Sequence, residues 1–166
     1  IDTILEQVRR GELGVENAAA RLRRLQSEPL GFATLDCDRA RRCGAAEVVF
    51  AEGKLPDQVV EIARSILQRE PSVLLTRAQP DHVEAVRLAL AEHPIELAPR
   101  SGAMIVGRPR PLPLAPIAIV TAGTSDEPVA EEARLTCKAL GQTSVQVHDV
   151  GVAGLHRLGH RLEQLR

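Results

Sequence analysis

The sequence predicts an α/β protein: a small N-terminal α/β or α+β domain, followed by the first βαβα part of a doubly wound parallel sheet. Short apolar runs rich in β-branched residues alternate along the chain with segments of helical periodicity. In the last third, two such runs are each followed by a glycine-bearing loop and a helical segment, and crossovers of this kind join parallel strands. A stretch dense in proline separates this part from the rest.

Apolar residues at helical spacing predict two leading helices, at residues 2–10 and 15–25. The next two helices each have Pro and Asp in their first turn, which is typical of a helix start. The run at residues 117–121 is continuously apolar, as expected of a strand buried on both faces. The predicted strands are 32–35, 47–50, 73–76, 95–97, 103–106, 117–121 and 144–148, and the later helices are 56–69, 80–92, 128–140 and one from 155 towards 166.

Closely spaced prolines at residues 108–113 remove backbone donors and favour extended conformations, as in a linker. We therefore predict an N-terminal domain at residues 1–107, a Pro-rich linker at 108–115, and the N-terminal part of a nucleotide-binding domain at 116–166. Two strands are too few for a doubly wound sheet, whose strands usually number roughly five or more. We expect further chain beyond residue 166.

The composition is that of an ordinary globular chain. Of 166 residues, 44% are hydrophobic, and 21 basic side chains balance 22 acidic ones. The sequence has no run of about 20 apolar residues and no signal-peptide pattern, so we expect a cytoplasmic protein without a membrane partner. Its aromatic residues are Phe32 and Phe50, which leaves little means of stacking bases, and we expect no nucleic-acid partner.

The three cysteines, Cys37, Cys43 and Cys137, show no paired metal-binding spacing and suggest no disulfide framework. We expect them to be reduced, partly buried thiols.

The first candidate binding loop is Gly123-Thr124-Ser125-Asp126, between a predicted strand and helix. Ligands of open parallel sheets bind at the carboxyl ends of the strands, and a helix start favours phosphate. Glycine permits close backbone approach, Thr124 and Ser125 offer hydroxyls and amides, and Asp126 would accept hydrogen bonds from a ribose. The structural alternative is that Ser125 or Asp126 only caps the helix.

The second candidate loop follows the next strand. It places Asp149 at the strand end, and His156 and Arg157 at the start of a helix. Imidazole suits proton transfer and guanidinium holds planar anions. Alternatively, Asp149 forms a turn and Arg157 is a solvated helix residue.

Three further residues have less specific patterns. His156 and His160 lie four apart on one helical face, but no third ligand stands at a recognisable spacing, so we assign no metal site. Lys54 follows the strand at 47–50 and would reach an anionic ligand, or it is a solvated loop lysine. Arg77 has the same two interpretations.

Three strings resemble the LarB family, the pyridinium biscarboxylic acid mononucleotide synthases of nickel-pincer nucleotide biosynthesis. They are EVVFAEGK at residues 47–54, GTSDEPVAEEA at 123–133 and DVGVAGLHR at 149–157. The resemblance covers nearly the whole chain. The second domain is similar to phosphoribosylaminoimidazole carboxylase, whose Ser-Asp loop resembles Ser125-Asp126 and whose Ala-His-Arg segment resembles Leu155-His156-Arg157.

The resemblance implies a carboxylase/hydrolase that carboxylates the pyridinium ring of nicotinic acid adenine dinucleotide, with CO2 or bicarbonate as co-substrate, and releases AMP. It also implies Mg2+ and a homo-oligomer, an octamer by analogy with relatives of the second domain. The implied catalytic residues are Asp126, Asp149 and His156, and the implied substrate-binding residues are Gly123, Thr124, Ser125, Gly151, Arg157 and Lys54.

The family's nucleophilic cysteine lies in a later segment that nothing here matches, so the resemblance assigns it to none of the three cysteines. We expect this cysteine beyond residue 166 and expect the chain alone to be inactive. Two other functions stay open: a carboxyaminoimidazole ribonucleotide mutase, which needs no cysteine, and a nucleotide-binding module without catalysis.

Overall fold

A computed structural model describes residues 1–161, apart from the side chains of residues 23–26 and 155. It divides between residues 47 and 48 into an N-terminal unit and a main unit, which are described separately. The predicted helix from residue 155 is confirmed at its start, and its continuation over residues 162–166 lies outside the described residues.

The N-terminal unit contains three helices and a short hairpin. Helices α1 and α2 pack together as their apolar spacing predicts. The antiparallel pair β1 and β2 follows, and the short helix α3 ends at Gly44 in the left-handed conformation. The sequence interpretation missed β1 and α3. The bounds are α1 Asp2–Arg9, α2 Val15–Gln26, β1 Ser27–Pro29, β2 Thr34–Asp36 and α3 Arg39–Cys43.

The main unit begins with a four-stranded mixed sheet in the order β3-β4-β6-β5. Strands β3 and β4 are parallel, and the other pairs are antiparallel. Helix α4 connects β3 to β4 and helix α5 connects β4 to β5, so the predicted α/β class is confirmed. The bounds are β3 Val48–Phe50, α4 Pro56–Leu67, β4 Ser72–Thr76, α5 Pro80–Ala89, β5 Ile95–Ala98 and β6 Ala103–Gly107.

Helix α4 packs against one part of this sheet, contacting β3, β4 and α5. Its buried side chains include Val59, Ile62, Ala63 and Ile66, which recur at helical spacing. Pro56 opens α4 at a position where a missing N–H costs nothing. The helix therefore begins and buries its apolar face where the sequence predicts.

A second, parallel sheet of two strands follows. Strand β7 (Ile117–Val120) pairs with β8 (Ser144–Val147), and helix α6 (Glu127–Ala139) connects them. Helix α7 (Leu155–Gly159) follows β8 after a short turn at Val152–Gly154. The predicted βαβα order is confirmed.

The prediction that β7 is buried on both faces is wrong for the described structure. Ile117 is 43% exposed and Val120 48% exposed. The reason is that β7 pairs with β8 alone and, among the helices described, has its main contacts with α6. A continuous apolar run predicts that both faces of a strand are buried, but burial also requires other elements that pack on those faces.

Helix α6 also packs on the four-stranded sheet, contacting β4, β5 and β6. Its Leu135 is fully buried in a cluster with Leu74, Ala98, Ala103 and Ile105. In the strand register, Leu74 lies opposite Ile105, and Ala98 opposite Ala103. Since alternate strand residues face opposite sides, α6 covers one face of this sheet.

Polar contacts reinforce this packing at Glu96 on β5. Its carboxylate accepts a hydrogen bond from Arg134 at 2.8 Å and forms an ion pair with Lys138, both on α6. Partial burial by itself would raise the pKa of Glu96, but the hydrogen bonds from Lys138 and Arg134 outweigh it, so the pKa lies below its ordinary value.

The predicted domain boundaries stay a prediction. The segment around residue 110 lies against the end of α6, where the Leu112 amide donates to the Gly141 carbonyl oxygen at 2.7 Å. Gly141 has φ of +81°, and a Cβ there would stand 2.3 Å from the Arg110 carbonyl oxygen, so this contact needs glycine. Within the described part of the chain, no helix is long and apolar enough to cross a bilayer.

Replacing Leu135 with Ala should destabilise the main unit by about 2–5 kcal/mol, because it leaves a cavity between α6 and the four-stranded sheet. Urea unfolding followed by circular dichroism measures this. Val129→Ala is the matched control on the same helix, since Val129 is 67% exposed and its truncation should cost little. Equal effects of the two variants would contradict the packing.

Glu96→Gln should destabilise the protein at pH 7, and the difference from the wild type should shrink as the pH falls. A carboxylate whose pKa is lowered on folding stabilises the native state above its unfolded value of about 4.3, and this stabilisation is lost as the folded form is protonated. Unfolding midpoints between about pH 7 and pH 3 test this. The exposed Glu61→Gln variant should track the wild type.

Candidate functional site

The two predicted binding loops meet at the carboxyl ends of β7 and β8. The Val150 amide donates to the Thr121 carbonyl oxygen at 3.0 Å, and the Gly151 amide to the Ala122 carbonyl oxygen at 3.2 Å. Parallel strands end at the same edge of a sheet, which is where open α/β sheets bind ligands. The structure therefore brings together the two loops that the sequence singled out separately.

The first loop is closed by Asp126. Its Oδ2 accepts the amides of Ala122 (3.0 Å) and Gly123 (3.1 Å), just before α6 begins. The alternative interpretation that Asp126 caps α6 is wrong, because its side chain makes no cap hydrogen bond to that helix; one carboxylate oxygen instead accepts two amides of its own loop. Its predicted catalytic and ribose-binding roles remain predictions.

The remaining residues of the first loop are open to a ligand. Thr124 and Ser125 are exposed in the short 3-10 turn that leads into α6. Gly123 has an extended backbone with φ of −149°, and a Cβ there would meet nothing within 4 Å. Neither the backbone nor a neighbouring residue therefore requires glycine at position 123, and the space beside it is available for close approach of a bound group.

The second loop holds Asp149 in an uncommon conformation. Its φ is +57°, in the left-handed region where Asp is one of the better-tolerated residues. Its Oδ2 lies 2.6 Å from Arg157 Nη1, on the first turn of α7. The predicted turn-forming and anion-binding residues are thus paired with each other.

Gly154 makes room for Arg157. A Cβ at position 154 would stand 2.6 Å from Arg157 Nε. The φ of Gly154 is −146°, so a side chain there would displace the Arg157 guanidinium without straining the backbone. Gly151 has a different neighbour, since its Cβ would lie 3.0 Å from the Ala122 carbonyl oxygen.

A cavity of about 410 Å³ lies beside the second loop. Two of the predicted residues line it, Asp149 and Arg157. His156 is exposed and is not among the described lining residues, and its ring stacks edge-on against His160 at 6.3 Å. The described lining consists of His148, Asp149, Val150, Arg157, His160 and Arg161.

The sequence interpretation missed His148 and Arg161 as cavity residues, and it considered His160 only for metal binding. His148 Nδ1 lies 3.4 Å from Thr121 Oγ1, which links it to the end of β7. Arg157, His160 and Arg161 are spaced three and four residues apart, as on one face of a helix. This spacing was the sequence signal that could have predicted that they line the same cavity. Within the described residues, no three His, Cys, Asp or Glu side chains group as a metal site.

Lys54 contacts its own strand. Its Nζ donates to the Phe50 carbonyl oxygen at 2.7 Å and lies 6.0 Å from the centre of the Phe50 ring. The buried His82, which the sequence interpretation missed, holds the backbone at Lys54 in place. It accepts the Gln79 amide at Nδ1 (2.9 Å), so Nε2 donates to the Lys54 carbonyl oxygen (2.8 Å). The ligand contact of Lys54 stays a prediction.

Two arginines from the four-stranded sheet reach the first turns of α6. Arg100 pairs with Glu127, the residue after Asp126, and Arg77 Nε lies 3.6 Å from Glu132 Oε2. Arg77 has φ of +56°. Both arginines therefore form ion pairs with glutamates of helix α6, which begins directly after the first candidate loop.

The structure joins none of the three cysteines in a disulfide. Cys37 and Cys137 are half-buried, whereas Cys43 is exposed, contrary to the expectation of partial burial. The described lining of the cavity includes none of them. The structure therefore does not assign a nucleophilic cysteine.

The N-terminal part of the chain matches a known family domain. Residues 27–107 match the model of the LarB/PurE-like N-terminal domain. The match supports membership of the LarB family over this part of the chain. This confirms the resemblance over the string at residues 47–54, whereas the strings at 123–133 and 149–157 lie outside the matched residues.

An uncharacterized protein of Methanocaldococcus jannaschii is 30% identical over 136 residues. The alignment covers 79% of this chain and 53% of the relative, so the chain spans about half the length of that protein. An alignment over that share of the chain necessarily passes residue 107 and includes the first loop. The similarity to this relative is therefore not confined to residues 27–107.

Gly151→Ala should separate the two loops slightly, because its Cβ would press on the Ala122 carbonyl oxygen. We expect faster amide hydrogen exchange at Val150 and Gly151, whose amides bond to the first loop. Gly123→Ala is the control, since its Cβ meets nothing. Unchanged exchange in Gly151→Ala would contradict the contact.

Proposed function

We propose that this chain is part of a LarB-type carboxylase/hydrolase acting on nicotinic acid adenine dinucleotide. The enzyme would carboxylate the pyridinium ring, with CO2 or bicarbonate as co-substrate, and cleave the phosphoanhydride to release AMP. The observation that supports this most is the meeting of the two LarB-like loops at one sheet edge, in a chain whose N-terminal domain belongs to that family.

The proposed chemistry requires a nucleophile, because a pyridinium ring is electron-poor and cannot attack CO2 itself. A cysteine thiolate adds to the ring and forms a C–S bond, which converts the ring into an enamine-like nucleophile. A ring carbon then forms a bond to CO2, a base removes the proton from that carbon, and the C–S bond breaks to release the thiolate. Water cleaves the phosphoanhydride in a separate step.

The residues described here would serve the binding of the dinucleotide. The hydroxyls of Thr124 and Ser125 would hold phosphate or ribose oxygens, and the Arg157 guanidinium would hold an anionic group at the second loop. His156 and Asp149 are the proposed proton carriers from the family resemblance. Asp126 keeps the first loop closed and presents its second oxygen to the ligand.

A resident magnesium ion does not fit these residues. One oxygen of Asp126 already accepts two amides, and Asp149 is paired with Arg157. Magnesium therefore enters the proposal as a counter-ion of the substrate phosphates, a common way for this ion to bind. The homo-oligomer implied by the resemblance also remains a proposal.

The test uses the full-length protein with nicotinic acid adenine dinucleotide, bicarbonate and magnesium. We expect AMP and a dicarboxylated pyridinium mononucleotide, measured by chromatography with mass spectrometry. Conversion of aminoimidazole ribonucleotide instead would identify a mutase. Binding of AMP by calorimetry without any turnover would indicate a nucleotide-binding module.

Ser125→Ala should lower kcat/KM by about tenfold to a hundredfold, since a hydrogen bond to a charged group is lost. Thr143→Ala is the matched control, because it removes an exposed hydroxyl at the opposite end of β8. Full turnover by Ser125→Ala would refute the assignment of this loop while leaving the reaction itself intact.

A further inference from the structure

Arg100 stands in the tight turn between β5 and β6. Because β4 and β5 are both antiparallel to β6, this turn lies at the same edge of the four-stranded sheet as the end of β4. The Gly102 carbonyl oxygen accepts the Ala78 amide at 2.9 Å, and the Gly102 amide donates to the Ala98 carbonyl oxygen at 3.0 Å. Gly102 has φ of +69°, and a Cβ there would stand 2.5 Å from the Ala78 carbonyl oxygen. The backbone that carries Arg100 is therefore held by both neighbouring strand ends.

From this turn, the Arg100 side chain reaches helix α6 and forms an ion pair with Glu127. Glu127 is the first residue of α6 and directly follows the loop whose hydroxyls the proposed function assigns to phosphate or ribose. The Arg100 side chain is 59% exposed and that of Glu127 is 29% exposed. Ion pairs between exposed side chains contribute little to stability. The main effect of Arg100 is therefore on the charge at the first turn of α6.

The first turn of α6 carries two carboxylates beside the proposed ligand. The start of a helix attracts anions, but Asp126 and Glu127 bring two negative charges to it. Loop amides bind one oxygen of Asp126, whereas the ion pair of Glu127 within the described residues is with Arg100. A carboxylate without its counter-charge repels a phosphate bound beside it. Loss of Arg100 would therefore make the first loop a poorer site for phosphate.

We propose that Arg100 is a positioning residue that neutralises Glu127 and thereby lets the first loop accept the phosphate of a nucleotide. Arg100 acts through Glu127 and does not touch the ligand. The inference rests on the proposed function for the ligand at this loop. It gives the matched family domain at residues 27–107, which contains Arg100, a part in binding at a loop outside that domain.

Arg100→Gln in the full-length protein is the central test, since it removes the positive charge and leaves Glu127 unpaired. Calorimetry with AMP should show affinity about threefold to tenfold lower than the wild type, and the KM for nicotinic acid adenine dinucleotide should rise by a similar factor with kcat unchanged. Both effects should shrink as NaCl is raised from about 0.05 M to 0.5 M, because salt screens exposed charges. Arg87→Gln, on the exposed face of α5, is the control for the loss of one positive charge and should have no effect.

Three further variants separate charge neutralisation from a purely structural clamp. Arg100→Lys keeps the positive charge, so its affinity for AMP should stay within about twofold of the wild type. Glu127→Gln removes the repelling carboxylate and should bind AMP at least as tightly as the wild type. The double variant with Arg100→Gln and Glu127→Gln should recover the affinity lost in Arg100→Gln. A structural clamp predicts weaker binding in Glu127→Gln and no recovery in the double variant.

Weaker AMP binding in Glu127→Gln, or unchanged binding in Arg100→Gln, would overturn the inference. Turnover of nicotinic acid adenine dinucleotide is measured separately on the same proteins. If turnover is absent while AMP affinity follows the expected order, the proposed function fails and the role of Arg100 stands. If the wild type turns over the dinucleotide and Arg100→Gln matches its KM and salt dependence, the proposed function stands and the inference fails.

Discussion

The packing of α6 on the four-stranded sheet is the constraint on which the rest of the main unit depends. Leu135 closes a cluster whose other members all come from β4, β5 and β6. The same helix begins at the first candidate loop and connects β7 to β8. The position of this helix start is therefore set by the packing of α6 on the four-stranded sheet, although the loop itself follows β7 of the two-stranded sheet. Ion pairs of Arg100 with Glu127 and of Glu96 with Arg134 join the two ends of α6 to the four-stranded sheet.

The site contains two carboxylates whose roles are separated by their surroundings. Asp126 faces two backbone amides of its own loop, which bind its charge and keep the turn closed. Asp149 forms an ion pair with the Arg157 guanidinium at 2.6 Å, and both side chains line the cavity beside the second loop. Carboxylates bonded to backbone amides within a turn shape the loop, whereas an exposed ion pair contributes little to stability.

Sequence patterns predicted most of the elements because their signals are local. Apolar spacing and first-turn proline marked α4 and α5, and short apolar runs marked the strands of both sheets. The covering of a sheet face by Leu135 was not predictable, since it joins residues far apart in sequence. His156 was favoured over His160 by motif resemblance, and only the direction of α7 shows that His160 lines the cavity. His82 was missed because its hydrogen bonds to Gln79 and Lys54 depend on tertiary packing.

The match to the family's N-terminal domain ends at residue 107, yet the sheet of that domain is completed by α6, which begins at residue 127. Without α6, the apolar residues Leu74 and Ile105 would lose their cover. The two parts of the chain are therefore linked energetically. A ligand that binds the folded first loop and not the unfolded one would stabilise the start of α6 and, through Leu135, the four-stranded sheet. By the same linkage, a substitution that loosens this sheet would weaken the binding of a ligand at the first loop, although the loop is not part of the sheet.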